Sequence, residues 1–175
     1  MSGHGHAASP SDEKLETMLR QAWDAYIGPG HELVTSPGPP PHGLTAAVSI
    51  TGSWNGTVVM ACSAPLARWV GGRMLGLPAQ DVSDQAAAEA LAELVNIVGG
   101  SVKAMLPHPS TLSLPWTSHQ GGQDPDAPPY GPEAAVTAHA RLVWHGEAIT
   151  VTVHRSCAGT TTPITLTTPA PRRPS

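Results

Sequence analysis

The sequence predicts an α+β fold of two layers, a mostly antiparallel sheet with helices packed on it. Three observations carry this. Apolar and small residues alternate with period two over 44–51 and again over 135–155, as in strands. The dipeptides Asn55-Gly56 and His145-Gly146 are turn signals that fold strands into hairpins. Three other stretches carry apolar residues at helical spacing, and the order helix, strands, helix, helix, strands is that of helices laid on an antiparallel sheet.

Taken in order, the first helix spans Glu13 to Ile27, with Leu15, Met18, Leu19, Ala22 and Tyr26 on its inward face and Ser11 or Asp12 as its cap. A Gly- and Pro-rich loop runs from Gly28 to Gly43 around a short strand at Glu32 to Thr35. Leu44 to Thr51 is a half-buried strand, and a second strand, Thr57 to Cys62, follows the Asn55-Gly56 turn. Ser63 caps a helix from Ala64 to Leu75, where Pro65 is tolerated because the first turn needs no donor from it. The longest helix runs from Asp84 to Leu106, between the cap Ser83 and the stop Pro107. Thr111 to Leu114 is a short strand, Gly121 to Pro132 a loop, and Ala135 to Trp144 with Glu147 to Arg155 the closing hairpin. Residues 1–11 read as a flexible N-terminal tail, 12–155 as one folded domain, and 156–175 as a Thr- and Pro-rich tail that can bury little surface.

Composition narrows the function classes. The chain has 175 residues, enough to bury a core without staples. Its net charge is -4, which argues against nucleic acid as a partner, since phosphates call for a basic excess. The longest apolar run, Val58 to Ala67, is half the length a spanning helix needs (about 20 residues) and contains Pro65, so no membrane association is expected. The first residues lack the apolar stretch of a secretory leader, and a cytoplasmic location follows as the expectation. Cys62 alternates with Val58 and Met60 as a small core residue, and Cys157 falls in the tail. The nine histidines are scattered and lack the i, i+4 pairing of a helical zinc site, so no metal site is assigned. Ser63 and Ser101 lack a nucleophile elbow, and Gly71-Gly72 is not followed by the Lys-Ser/Thr of a phosphate loop.

The helix from Asp84 to Leu106 carries the chemistry. At about 100° per residue, Ala87, Leu91, Leu94, Val98, Val102 and Met105 form one stripe, the core face. Glu89, Glu93, Asn96, Gly100 and Lys103 centre on the opposite side, with Glu93 and Asn96 one turn apart and stacked. Gly99 and Gly100 stand inside the helix, where each costs up to about 1 kcal/mol relative to Ala. Removing two side chains beyond Asn96 is expected to flatten the surface and let another protein's loops approach the backbone. From periodicity alone a Glu-x-x-Asn pair reads first as a solvated polar face, since the pattern arises by chance in many helices.

Around this helix the pieces resemble a known family. Ile50-Thr51-Gly52-Ser53-Trp54-Asn55-Gly56-Thr57-Val58 resembles the first hairpin of the CheC/CheX-type chemotaxis phosphatases, and Ala64 to Gly76 the segment after it. Glu89-Ala-Leu-Ala-Glu93-Leu-Val-Asn96-Ile-Val-Gly99-Gly100 resembles the family's active-site helix, and Ser113-Leu114-Pro115 its post-helix Pro segment. The resemblance covers about Glu13 to Arg155 in the same order, with a single Glu-x-x-Asn pair, as in the CheX branch. It implies a phosphatase acting on the phospho-aspartate of a CheY-like response regulator, and, from the CheX branch, a homodimer. It implies that Asn96 orients the attacking water and that Glu93 reaches the partner's active-site lysine. Glu89, Gly99, Gly100 and Lys103 would complete the partner-binding face. No cofactor of its own is implied, because Mg²⁺ would be supplied by the response regulator. The alternative is a module of the same fold that binds a signalling partner without catalysis.

Overall fold

A computed structural model describes residues 9–119 and 134–156. The expected loop at 121–132, residues 1–8 of the N-terminal tail, and residues 157–175 of the C-terminal tail lie outside the described residues. The elements are α1 (Asp12–Ile27), β1 (Val34–Thr35), β2 (Leu44–Gly52), β3 (Gly56–Cys62), α2 (Ala64–Leu75), a 3₁₀ turn (Ala79–Asp81), α3 (Asp84–Met105), β4 (Ser110–Leu112), β5 (Trp116–His119), β6 (Ala135–Trp144) and β7 (Glu147–Arg155). The strands form one antiparallel sheet in the order β1-β6-β7-β3-β2-β4, with β5 also paired to β2. The α+β class is as the sequence predicts, and β5 is the strand it did not announce.

The caps explain the helix starts. Ser11 Oγ accepts from the Lys14 amide, Ser63 Oγ from that of Leu66, and Ser83 Oγ from that of Ala86 at 3.1 Å. Asp12, the alternative cap of α1, instead accepts from the His139 amide at 2.8 Å, pinning the start of the helix to β6. Pro10 is buried, so the chain makes tertiary contact before α1 begins.

The helices lie on one face of the sheet. Ala46, Val48 and Ile50 of β2, Val58, Met60 and Cys62 of β3, Leu142 of β6 and Ile149, Val151 and Val153 of β7 meet Leu15, Leu19 and Trp23 of α1, Leu66 and Val70 of α2, and Leu91, Leu94, Val98 and Val102 of α3 in one core. Cys62 sits inside it; burial, with a smaller effect of the Glu147 carboxylate, pushes its thiol up to about 12. Two inward assignments are corrected. Tyr26 and Met105 are 41% and 38% exposed, because the buried stripe of α1 passes through Trp23 and Ile27 and that of α3 ends at Val102. The expected half-burial of β2 is also corrected: Thr45 and Ala47 are buried too, since β3 and β5 flank that stretch on both sides.

The two hairpins turn differently. His145 and Gly146 both have positive φ, +48° and +81°, as a two-residue type I′ connection requires. The β2–β3 connection instead has three residues, Ser53 to Asn55. Asn55 closes it through its side chain, accepting from the Gly52 amide and donating to the Gly52 carbonyl. Trp54 folds back over Gly56 and is 2% exposed, a turn-packing aromatic rather than a partner contact.

Candidate active site

The site is built on α3, a 22-residue helix. Its inward residues Ala87, Leu91, Leu94, Val95, Val98 and Val102 are buried against the sheet and the other helices, which fixes the rotation of the helix about its axis. That rotation turns Glu89 and Glu93 out to solvent and leaves Asn96, Gly100 and Lys103 half-buried on the same side. Glu93 and Asn96 therefore project from a rigid element whose back is anchored, the arrangement that holds a reacting constellation in place.

Among the described residues the polar contacts on this face are few. Glu89 Oε1 accepts from Gln85 Nε2 at 2.9 Å, one turn earlier on the same helix. Glu93 Oε1 accepts from the Tyr26 hydroxyl of α1 at 3.4 Å. Among the described residues, no ion pair involves Glu93 or Lys103. Ser101, on the flank, returns its hydroxyl to the Ile97 carbonyl one turn back, a local bond that leaves the outward face uncluttered.

The two glycines have opposite roles. Gly100 faces open space, with nothing within 4 Å of where a Cβ would stand. Gly99 does not widen that opening, and here the expectation is corrected. It is buried, and a Cβ on it would run into Val48 Cγ2 and come within 3.4 Å of Leu112 Cδ1. Gly99 lets α3 settle closely onto β2; only Gly100 flattens the outer face.

What the arrangement can do follows from its groups. A carboxamide both accepts and donates, so Asn96 can hold a water and a phosphoryl oxygen at once without adding charge. A solvent-facing carboxylate such as Glu93 can take a charge-assisted contact from a cation on another molecule. Among the described residues no group of three or more His, Cys, Asp or Glu comes together as a metal site, and no helix is long and apolar enough to cross a membrane. The contact that sequence reasoning missed is Tyr26 with Glu93; helical spacing had turned Tyr26 inward, and only the packing of α1 beside α3 brings the two together.

Comparisons with known proteins agree with this frame. Residues 44–130 match the family model described as chemotaxis phosphatase CheX. The fold is similar to that in the crystal structure of the CheX–CheY–BeF3–Mg2+ complex from Borrelia burgdorferi, with a TM-score of 0.62 and 15% identity over 85% of this chain and 99% of that one. It is also similar to a chemotaxis protein CheX from Desulfovibrio desulfuricans (TM-score 0.60, 19% identity, 81% and 96% covered). A third similar structure is chemotaxis protein CheX from Vibrio vulnificus (TM-score 0.59, 14% identity, 85% and 100% covered). No curated protein sequence matches the chain.

Proposed function

We propose that this chain, whose residues 44–130 match the family model described as chemotaxis phosphatase CheX, hydrolyses the aspartyl-phosphate of a response regulator, with Asn96 and Glu93 as its working residues. The observation that carries this is their placement one turn apart on the outer face of a helix whose opposite face is locked into the core.

In this mechanism the outer face of α3 docks over the receiver's phosphorylated aspartate. Asn96 accepts a hydrogen bond from a water and donates one to a phosphoryl oxygen, setting the water in line with the bond to be broken. The water oxygen bonds to phosphorus, the bond from phosphorus to the aspartate oxygen breaks, and inorganic phosphate leaves with the aspartate carboxylate restored. Such a transition state needs position and electrostatic support more than a strong base, which is why a neutral amide suffices. Glu93 faces the receiver's active-site lysine and sets the register of docking. Gly100 keeps the backbone accessible beside Asn96, and Glu89 and Lys103 extend the docking face along the helix. The partner of the similar Borrelia complex is CheY, held with BeF3 and Mg2+; by analogy the partner here is a CheY-like receiver that brings its own Mg²⁺. Action in the cytoplasm and a homodimeric state belong to the same reading, the latter tested by sedimentation.

The decisive test is the dephosphorylation rate of a receiver domain from the same organism, charged by a small phosphodonor. Wild type is expected to accelerate phosphate loss, and Asn96→Ala to lose about 100-fold of that acceleration, as removal of one positioned hydrogen-bonding group does elsewhere. Glu93→Ala is expected to raise the concentration needed for half-maximal rate. Circular dichroism should be unchanged in both, as neither side chain is buried in the core. Full activity in the Asn96 variant overturns the assignment. Binding to the receiver without acceleration by wild type moves the chain to the binding-module reading.

A further inference from the structure

Tyr26 stands at the edge of a helix whose neighbours are buried. The inward stripe of α1 ends with Trp23 and Ile27, fully buried or nearly so, whereas Tyr26 is 41% exposed. Its hydroxyl donates to Glu93 Oε1, a contact between residues 67 apart in sequence. The backbone geometry behind that contact is not left to surface side chains. α1 and α3 pack against each other, and Leu15, Leu19, Trp23 and Ile27 join Leu91, Leu94 and Val98 in the same core.

We infer that Tyr26 is a positioning residue for Glu93, holding its carboxylate in one rotamer before the response regulator arrives. The inference rests on the reading above, in which Glu93 meets the receiver's lysine. An exposed glutamate has three rotatable bonds, and ordering such a side chain at an interface lowers affinity by about three- to tenfold. A bond already made in the free protein removes part of that loss. A phenol is suited to the task because it gives one proton to Oε1 and keeps its own charge at zero. The carboxylate stays anionic, and Oε2 with the remaining lone pair of Oε1 is left for the lysine. Among the described residues Asn96 has no such tether, so the effect falls on docking and not on the placement of water.

The test is Tyr26→Phe in the full chain, which keeps the ring and its packing and removes only the hydroxyl. Affinity is measured by calorimetry against a receiver that wild type dephosphorylates, loaded with BeF3 and Mg2+ in place of phosphate. The expected result is a dissociation constant raised about three- to tenfold, with the kinetic change in KM and not in kcat. In a Glu93→Ala background, which leaves the Tyr26 hydroxyl no acceptor at residue 93, the same substitution should change nothing further. Without any receiver, side-chain coupling constants of Glu93 should report one dominant rotamer in wild type and averaging in Tyr26→Phe. If Glu93→Gln weakens binding while Tyr26→Phe does not, the tether is overturned and the docking role of Glu93 stands. Equal weakening by Tyr26→Phe in both backgrounds overturns it in favour of direct contact with the receiver. Should Glu93→Gln leave affinity unchanged, the docking role and the tether fall together.

Discussion

A single methyl group separates the two adjacent glycines of α3. On Gly99 it would meet Val48 Cγ2, a branched side chain held within the sheet, so Gly99→Ala must push the helix off β2 or force a rotamer change. We expect a loss of about 1–3 kcal/mol, read as a lower urea midpoint at unchanged slope. On Gly100 the same methyl group enters open space, and Gly100→Ala should stabilise the fold by about 0.5–1 kcal/mol through helix propensity. If that face docks closely on a receiver, the stabilised variant should be the poorer phosphatase; a stabilised and fully active Gly100→Ala would show that the partner does not approach the helix there. His154 adds a pH-sensitive residue. Desolvation holds its imidazole below the ordinary value, so the folded state favours the neutral ring. The sign follows: stability is complete above the unfolded value of about 6.5 and falls as pH drops below it, because the unfolded chain then binds the proton first. Replacing His154 with Gln should flatten the urea midpoint between pH 7.5 and about 5, and an unchanged slope there would assign the acid sensitivity to other groups.

At the scale of elements, α3 is informative because two requirements meet in it. Its inner face must fill the groove over β2 and β3, and in the proposed function its outer face stays free of side chains that would crowd a partner. The first requirement is written in period 3.6 and was readable from Ala87 to Val102; the second shows only as a Glu-x-x-Asn pair that many solvated helices contain. Asn96→Ala should therefore leave melting nearly unchanged and remove the acceleration, a separation that a core residue of the same helix, such as Leu94, cannot show. The hairpins show how far local signals reach. His145-Gly146 makes the two-residue turn its dipeptide advertises. Asn55-Gly56 does not: Gly56 is already the first residue of β3, paired with Ile50, and Trp54 lies across it.

Across the whole molecule, the far end from β4 is held by aromatic rings drawn from separate elements. Trp23 of α1 stacks on Trp69 of α2 with centroids 5.8 Å apart, and Trp69 meets Trp144 at the end of β6 at 3.8 Å. Trp23 Nε1 donates to the His31 carbonyl at 2.7 Å, and the His31 ring sits edge-on to Trp69 and Trp144. Trp23 is fully buried, so Trp23→Ala should cost about 3–5 kcal/mol and release α1 from α2 and the hairpin together. Because Tyr26 is three residues further along α1, the same variant should also slacken its hold on Glu93, and the rise in KM should exceed that of Tyr26→Phe. A variant that loses stability but keeps its KM would separate the aromatic end from the docking face.

Legible in the order of residues alone were the class of fold, the three helices with the serine caps of α2 and α3, the main strands, and the side of α3 on which Glu93 and Asn96 stand. These follow from periodicity and capping, which act over a few residues and leave their mark in the order of the chain. Packing between elements, by contrast, makes Gly99 a packing glycine while Gly100 stays open, puts Trp23 rather than Tyr26 in the core, and brings Tyr26 to Glu93. Each of those outcomes depends on which surface of another element lies opposite, Val48 for Gly99 and α3 for Tyr26. Helical spacing gives the direction of a side chain but not what it meets, and the strand pairing and helix docking that supply the neighbour join residues dozens of positions apart.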